Sequence, residues 1–437
     1  MPTEYLQTAN TKLERIAWRS KKDRCVKFEN LMHLYNEESL CTAFHSLDGK
    51  KAVGEDGVTK QEYGLDLIEH TNDLLDRMKT MSYRPRPVRE VLIPKPGQEN
   101  KFRPLGISNI EDKIIQKVTK DILEAIHEPV FYECSYGFRE GIGPHDAIKD
   151  LHQHLFRAHV SRVIDVDLEN FFGTLDHSAL MKFMAHRIQD TRFLRYARRL
   201  MKTGVLKGEE LTITEEGIAQ GTCCSPILAN IYAHYVIDDW FEKVVKKHCE
   251  AEVRMFRYCD DIVICCQIEK DALRIKQSLV KRLAKFGLKM NVDKTKIVKF
   301  SRSNYRKGIK QGSFDFLGFT FYMGKSLKGR ALPKLKTSGK RLRSKLRDIK
   351  LWAKSICFKS KVSFVWRIFL SKIRGHIAYY GISFNHKQIY NFMWHARRIM
   401  FYWFNRRSQR KSYNWKKFNR FIKHNPMPKK IVIHSLF

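Results

Sequence analysis

The run Met255-Phe256-Arg257-Tyr258-Cys259-Asp260-Asp261-Ile262-Val263-Ile264-Cys265-Cys266 sets two adjacent carboxylates between two apolar, β-branched or aromatic stretches. This pattern predicts a β-hairpin with acid groups at the tip of a tight turn. Neighbouring like charges repel, and hydrophobic walls on both sides sharpen the conflict. A divalent cation resolves it, because Mg²⁺ takes oxygen ligands and bridges to phosphates. A solvated Asp-Asp turn is the plainer reading of the dipeptide, and the hairpin alone does not choose between the two.

A second acidic strand weighs for the metal. Ser161-Arg162-Val163-Ile164-Asp165-Val166-Asp167-Leu168-Glu169 alternates apolar and acidic residues before Asn170-Phe171-Phe172, as a strand end opening on a polar cleft does. Two-metal nucleotidyl transfer uses carboxylates from separate strands, converging on ions about 3.5–4 Å apart. One ion sharpens the attacking 3′-hydroxyl and the other steadies the leaving pyrophosphate. One acid of this strand with Asp260 and Asp261 is a sufficient set.

An ordered series of short motifs surrounds these strands. Gly54-Glu55-Asp56-Gly57-Val58-Thr59 comes first, then Ile93-Pro94-Lys95, Arg103-Pro104-Leu105-Gly106-Ile107 and Ser135-Tyr136-Gly137-Phe138-Arg139. Gln220-Gly221 and Ser225-Pro226-Ile227-Leu228-Ala229-Asn230-Ile231 follow the Asp167 strand. After the Tyr-Cys-Asp-Asp turn come Gly287-Leu288-Lys289-Met290-Asn291-Val292-Asp293-Lys294-Thr295-Lys296 and Phe316-Leu317-Gly318-Phe319. In this order they resemble the reverse transcriptases, most closely those encoded by bacterial group II introns, over residues 50 to 322 and more weakly to the end. The resemblance implies an α+β right-hand polymerase, with fingers and an antiparallel palm sheet, followed by an α-helical thumb or maturase domain. It also implies RNA-directed DNA synthesis from dNTPs, with two Mg²⁺ ions, an RNA template and a DNA primer or target DNA.

By the same resemblance Asp167, rather than Asp165, joins Asp260 and Asp261 as the catalytic, metal-binding acids. Phe172, five positions on, stands where a ribose 2′-hydroxyl would have to go. Lys95 and Arg103 match fingers positions that grip the incoming triphosphate, where a basic pair suits a polyphosphate. Gln220 and Gly221 match the turn beside the nascent base pair, where a glycine lets backbone approach closely. Lys294 lies in the motif bordering the triphosphate, with Lys296 the alternative in that motif. Phe316, Leu317 and Gly318 fall in a hairpin that resembles the primer grip, though its phenylalanines would serve equally as core.

The departures are specific. The family usually has alanine at Cys259, proline at Ala219, and Gly-Pro-Leu or similar at Thr222-Cys223-Cys224. A small Cys259 fits under a primer terminus much as alanine does. The Thr-Cys-Cys change bears on fidelity and on membership of the best-known intron lineages, not on the basic chemistry.

Charge placement agrees with a nucleic-acid partner. The formal net charge is +36, but Met323 to Phe437 holds 30 Lys and Arg against one acid, Asp348, and so carries +29 of it. Such a block is the footprint of phosphate-backbone binding. A disordered basic tail would lack the aromatics and helical spacing found here. Leu342, Leu346 and Ile349 recur at i, i+4 and i+7, with Arg341, Arg343, Lys345, Arg347 and Lys350 on the other faces, and predict an amphipathic helix. Further helices are expected over 361–380, over 386–407 and, shorter, over 415–422. In 386–407, Trp394, Phe401, Tyr402 and Trp403 interleave with Arg397, Arg398, Arg406 and Arg407. Most of these aromatics are expected in the core and a minority on bases. Arg374-Gly375-His376-Ile377-Ala378-Tyr379-Tyr380-Gly381 is similar to the maturase region of intron proteins. That likeness implies that the block, with Arg341, Lys345, Arg397 and Arg398, grips the template-primer duplex and structured intron RNA.

Three regions are expected: an N-terminal extension with the start of the fingers (1–85), fingers and palm (86–322), and the basic helical thumb (323–437). No apolar run approaches the roughly 20 residues of a membrane span, and the start does not read as a signal peptide. The ten cysteines include no CxxC pair and fit reduced thiols in a cytoplasmic protein with no membrane partner. Little chain follows the maturase region, so a Cys-rich nuclease domain is not expected. Three functions fit: an intron protein that copies RNA and assists splicing and retromobility; a host-adopted relative in phage defence, CRISPR adaptation or DNA repair; or a maturase that only binds RNA. The intact Asp167, Asp260 and Asp261 argue against the third.

Overall fold

The computed structural model describes residues 3–94, 102–208, 210–213, 215–407 and 413–437. By contacts they fall into two units, each discontinuous in sequence: one within 1–94, 100–144 and 166–296, the other within 95–99, 145–165 and 297–437.

The first unit is α/β. The apolar runs flanking the acids form the expected antiparallel strands, Val253–Tyr258 and Asp261–Cys266. The sheet continues through Arg162–Glu169 to Lys289–Met290. Met255, Phe256, Ile262, Val263 and Ile264 are buried, because hairpin strands covered on both faces need continuous apolar runs. A second sheet pairs Val88–Pro94 antiparallel with Phe102–Ile107, and parallel with Val205–Lys207 at Val88↔Val205. Around them lie helices whose apolar stripes face inward: Ile110–His127 buries Ile114, Ile115, Ile122, Leu123 and Ile126, and Leu67–Lys79 buries Leu74, Leu75 and Met78. Arg77 of the latter forks onto Glu111 of the former at 3.0 and 2.7 Å. The helix Ser225–Ala233 runs on into π-helical turns at His234–Asp238 and Phe241–Val245. Such turns are rare and recur at functional sites.

The second unit joins the helix Pro144–Arg157 to a three-stranded antiparallel meander, Ser313–Phe316, Phe319–Lys325 and Ala331–Thr337. Four helices follow: Gly339–Ile356, Val362–Tyr380, His386–Asn405 and Trp415–His424, close to the spans that periodicity predicts. The segment expected to be helical from residue 323 begins instead as a strand. Ala331–Thr337 forms the third strand of the meander by pairing with Phe319–Lys325, and its Ala331, Leu332, Leu335 and Thr337 are buried. The helical core centres on Trp366, whose ring meets Phe369 at 4.9 Å and Phe421 at 5.2 Å. Its indole N–H donates to the Asn425 carbonyl at 3.0 Å, as a buried tryptophan requires. Among the described residues no helix is long and apolar enough to cross a membrane.

Candidate active site

The hairpin register runs from Val253↔Cys266 to Tyr258↔Asp261, which leaves Cys259 and Asp260 as a two-residue loop. Cys259 has φ +59°, the left-handed first position of a tight hairpin turn. A side chain there costs about 1 kcal/mol or more, so the surroundings must hold the turn. Asp260 is exposed and Asp261 half-buried. Burial first, and then the charge of Asp260, push the Cys259 thiol up to about 12. It therefore stays protonated at neutral pH and is no nucleophile.

Asp167 stands on the neighbouring strand of the same sheet. Its main chain is held on both sides: its N–H donates to Thr295 Oγ1 at 3.2 Å, and its carbonyl accepts from the Asn291 N–H at 2.8 Å. The turn Asn291 to Thr295 thus wraps the acid and brings Lys294 Nζ to 2.9 Å from its Oδ2. Of the two lysines of that motif, Lys294 is the one seen to reach the acid. The Asp167 side chain is 44% exposed, so this pair contributes only about 0–1 kcal/mol and gives way readily to a stronger cation. Among the described residues no three His, Cys, Asp or Glu side chains converge on a metal-sized site. Mg²⁺ typically takes one or two protein carboxylates and completes its shell with substrate phosphates and water. The all-carboxylate donors Asp167, Asp260 and Asp261 fit a hard cation that arrives with a nucleotide.

Phe172 lies half-buried in the short turn Phe171–Thr174. Its carbonyl accepts from the Ile218 N–H at 2.8 Å, which fixes the chain entering Gln220-Gly221. The Gln220 carbonyl accepts from the Gly106 N–H at 2.6 Å. Gly221 has φ +101°, and a Cβ there would stand 3.2 Å from the Gly106 carbonyl oxygen, so the turn needs glycine on both counts. Gly106 and the exposed Arg103 share the strand Phe102–Ile107. Arg103, Gln220, Gly221 and Phe172 are therefore tied together through backbone, while Lys95 lies outside the described residues. At the Thr-Cys-Cys departure, Ser225 Oγ donates to the Ala219 carbonyl at 2.7 Å and the Cys223 N–H donates to Gln116 Oε1 at 3.1 Å. These residues anchor the start of the helix Ser225–Ala233.

Sequence reading assigned no role to Arg257 or Asp238, nor to individual residues of Ser135 to Arg139. The available signal was an arginine set between Phe256 and Tyr258 next to the acidic turn, a residue type that is almost never fully buried unless paired. Gly137 lies against the acidic turn: a Cβ there would stand 2.6 Å from the Cys259 nitrogen. Gly137→Ala is expected to destabilise the protein by about 1–3 kcal/mol and to depress turnover by displacing the turn. Thermal unfolding beside primer-extension assays checks both, and an unshifted midpoint with full activity would contradict the contact.

In the second unit Phe316 is buried, and Leu317 and Gly318, with φ of +50° and +80°, form the hairpin turn. Tyr379 Oη donates to the Leu317 carbonyl at 2.9 Å. On the helix His386–Asn405, Tyr390, Trp394, Arg398, Tyr402 and the capping Arg406 recur every fourth residue, so each neighbours the next in a row that winds along the helix. Tyr390, Trp394 and Tyr402 are exposed. Arg398 lies 4.6 Å over the Trp394 ring and Arg406 4.8 Å over Tyr402, while Arg397 lies 5.8 Å from Trp415. Trp403 and Phe404 are core, so the division between buried and exposed aromatics is visible residue by residue. Arg341, Arg343, Lys345 and Arg347 are exposed on Gly339–Ile356.

Acid strands meeting in one sheet, and a separate helical unit clad in arginine and exposed rings, are the parts of a nucleic-acid polymerase. A family model described as reverse transcriptase (RNA-dependent DNA polymerase) matches residues 93–321, just over half of the chain. The chain belongs to that family and is a group II-like member of it. Protein YkfC of Escherichia coli K12 is 30% identical over 317 residues, 65% of this chain and 83% of that protein. The group II intron-encoded protein LtrA of Lactococcus lactis is 31% identical over 223 residues, 51% of this chain and 37% of LtrA. The putative COX1/OXI3 intron 1 protein of Saccharomyces cerevisiae is 28% identical over 312 residues, 60% of this chain and 37% of that protein. The chain thus spans little more than a third of the length of these two intron proteins.

Proposed function

We propose that this chain extends a DNA primer on an RNA template by two-metal nucleotidyl transfer at Asp167, Asp260 and Asp261. The observation that carries this reading is the placement of the Asp260-Asp261 turn on the strand beside Asp167. Two Mg²⁺ ions held there with the substrate phosphates would supply an activated 3′-hydroxyl and stabilisation of the leaving pyrophosphate. The protein's own groups do the rest. Arg103, with Lys95, binds the triphosphate; Lys294 adds positive charge on the Asp167 side; Gln220 and Gly221 seat the new base pair. Residues 1–85 and 86–322 serve as extension and as fingers with palm of a right-hand polymerase, and the helices from Gly339 onward serve as its thumb. The basic, ring-bearing helices hold template-primer and structured RNA through phosphate contacts and stacking. The likeness to LtrA favours intron RNA as that partner. Extension that stops in EDTA and returns with excess Mg²⁺ is the expected result, whereas extension that persists in EDTA would overturn the metal reading.

In the same reading, Phe172 excludes the ribose 2′-hydroxyl. Phe172→Ala is expected to raise kcat/KM for rNTPs relative to dNTPs by roughly 10- to 100-fold, the size of a steric clash of about 1–3 kcal/mol. Single-nucleotide incorporation with matched dNTP and rNTP measures it, and an unchanged ratio would remove Phe172 from that role.

A further inference from the structure

Arg257 sits in the strand leading to the acidic turn, and its side chain is fully buried, as is that of Asp238. A guanidinium has five N–H donors, and here they have five acceptors. Nε donates to Asp238 Oδ1 at 2.7 Å and Nη2 to Asp238 Oδ2 at 2.5 Å. Nη2 also donates to Ser135 Oγ at 2.6 Å, and Nη1 reaches Asn230 Oδ1 and the Cys259 carbonyl, each at 3.3 Å. The main chain is held as well: the Arg257 N–H donates to the Cys134 carbonyl at 2.7 Å, and the Tyr136 N–H donates to the Arg257 carbonyl at 2.8 Å. Asn230 Nδ2 donates to the Gly137 carbonyl at 2.7 Å, which presses the glycine backbone onto the turn.

A buried ion pair gives little or no net stability over apolar side chains of similar volume, so stability alone does not account for this one. Its contacts run from a π-helical turn, through the guanidinium, to the carbonyl of the left-handed residue just before Asp260. We propose that Arg257 is a positioning residue that holds the Cys259-Asp260 turn from inside the protein, so that Asp260 and Asp261 present their oxygens in a fixed geometry. This rests on the reading of those acids as the catalytic set. Lysine cannot replace it, because one ammonium with three donors cannot bridge Asp238, Ser135, Asn230 and the turn at once.

The test uses Arg257→Lys and the double variant Arg257→Met/Asp238→Leu, which removes the pair without stranding a charge. For each, kcat, dNTP KM, Mg²⁺ dependence and thermal unfolding are measured, together with Mn²⁺ affinity by electron paramagnetic resonance in the presence of dNTP. Both are expected to fold, with kcat reduced about 10- to 100-fold, the cost of an ångström-scale misplacement. The dNTP KM should stay within about twofold, while Mn²⁺ affinity weakens and the Mg²⁺ needed for half-maximal rate rises. Either folded variant with the kcat, Mg²⁺ dependence and Mn²⁺ affinity of the wild type would overturn the proposal. If one variant fails to fold, the other carries the test; if both fail, Arg257 is a structural residue only and the proposal falls. Failure of the catalytic reading looks different, since Asp260→Ala would then retain activity whatever Arg257 does.

Discussion

Replacing Asp260 or Asp167 by alanine is expected to slow single-turnover primer extension by about 10³-fold or more while leaving a folded, RNA-binding protein. In the proposed two-metal reading each carboxylate lost is a metal ligand lost, and about 4 kcal/mol of transition-state stabilisation corresponds to that factor. The folded state loses little. Asp260 is exposed at the turn, where substitutions usually change stability by about 0.5 kcal/mol or less. Asp167 forfeits its part-exposed pair with Lys294, about 0–1 kcal/mol. Rapid-quench extension with parallel thermal unfolding separates the two effects. A variant that keeps its melting point and extends within about tenfold of the wild type would show that the acid is not a ligand.

Binding of the template-primer duplex is expected to weaken about 10³- to 10⁵-fold between 50 and 200 mM salt, as for a protein neutralising six to ten phosphates. Asp348 is the only acid after Met323 and reaches Lys345 at 4.0 Å, an exposed pair worth about 0–1 kcal/mol that phosphate displaces readily. Counterion release makes the slope of log affinity against log salt a count of such contacts. The triple variant Arg341→Gln/Lys345→Gln/Arg398→Gln should flatten that slope by about 2–3, roughly one for each phosphate contact removed. Trp394→Ala should weaken binding with little change of slope, because stacking releases no counterions. Fluorescence anisotropy over a salt series reads both. An unchanged slope in the triple variant would move the nucleic-acid surface elsewhere.

The elements that sequence makes legible are those whose signal is local. Apolar runs on either side of Asp260-Asp261 mark the hairpin, and Leu342, Leu346 and Ile349 mark the helix Gly339–Ile356. What stays hidden is set by distant partners. Arg257 looks like any charge in a strand until Asp238, Ser135 and Asn230 are brought around it by chain far away in sequence. The π-helical turn that carries Asp238 leaves no periodic trace. Ala331–Thr337 is strand because Phe319–Lys325 offers an edge, although its lysines resemble those of the helices that follow. Residues 145–165 group with 297–437, and no shift in composition marks that grouping. Lys294 and Lys296 look alike in sequence, and only the turn geometry brings Lys294 to Asp167.

The most direct measurement is extension of a labelled DNA primer annealed to an RNA template, with dNTPs and Mg²⁺, by the wild-type protein beside an Asp260→Ala/Asp261→Ala variant. Full-length complementary DNA from the wild type and none from the variant is the expected result. A wild-type protein that binds the template-primer but extends it under no salt or metal condition would contradict RNA-templated synthesis at this site and leave an RNA-binding maturase in its place.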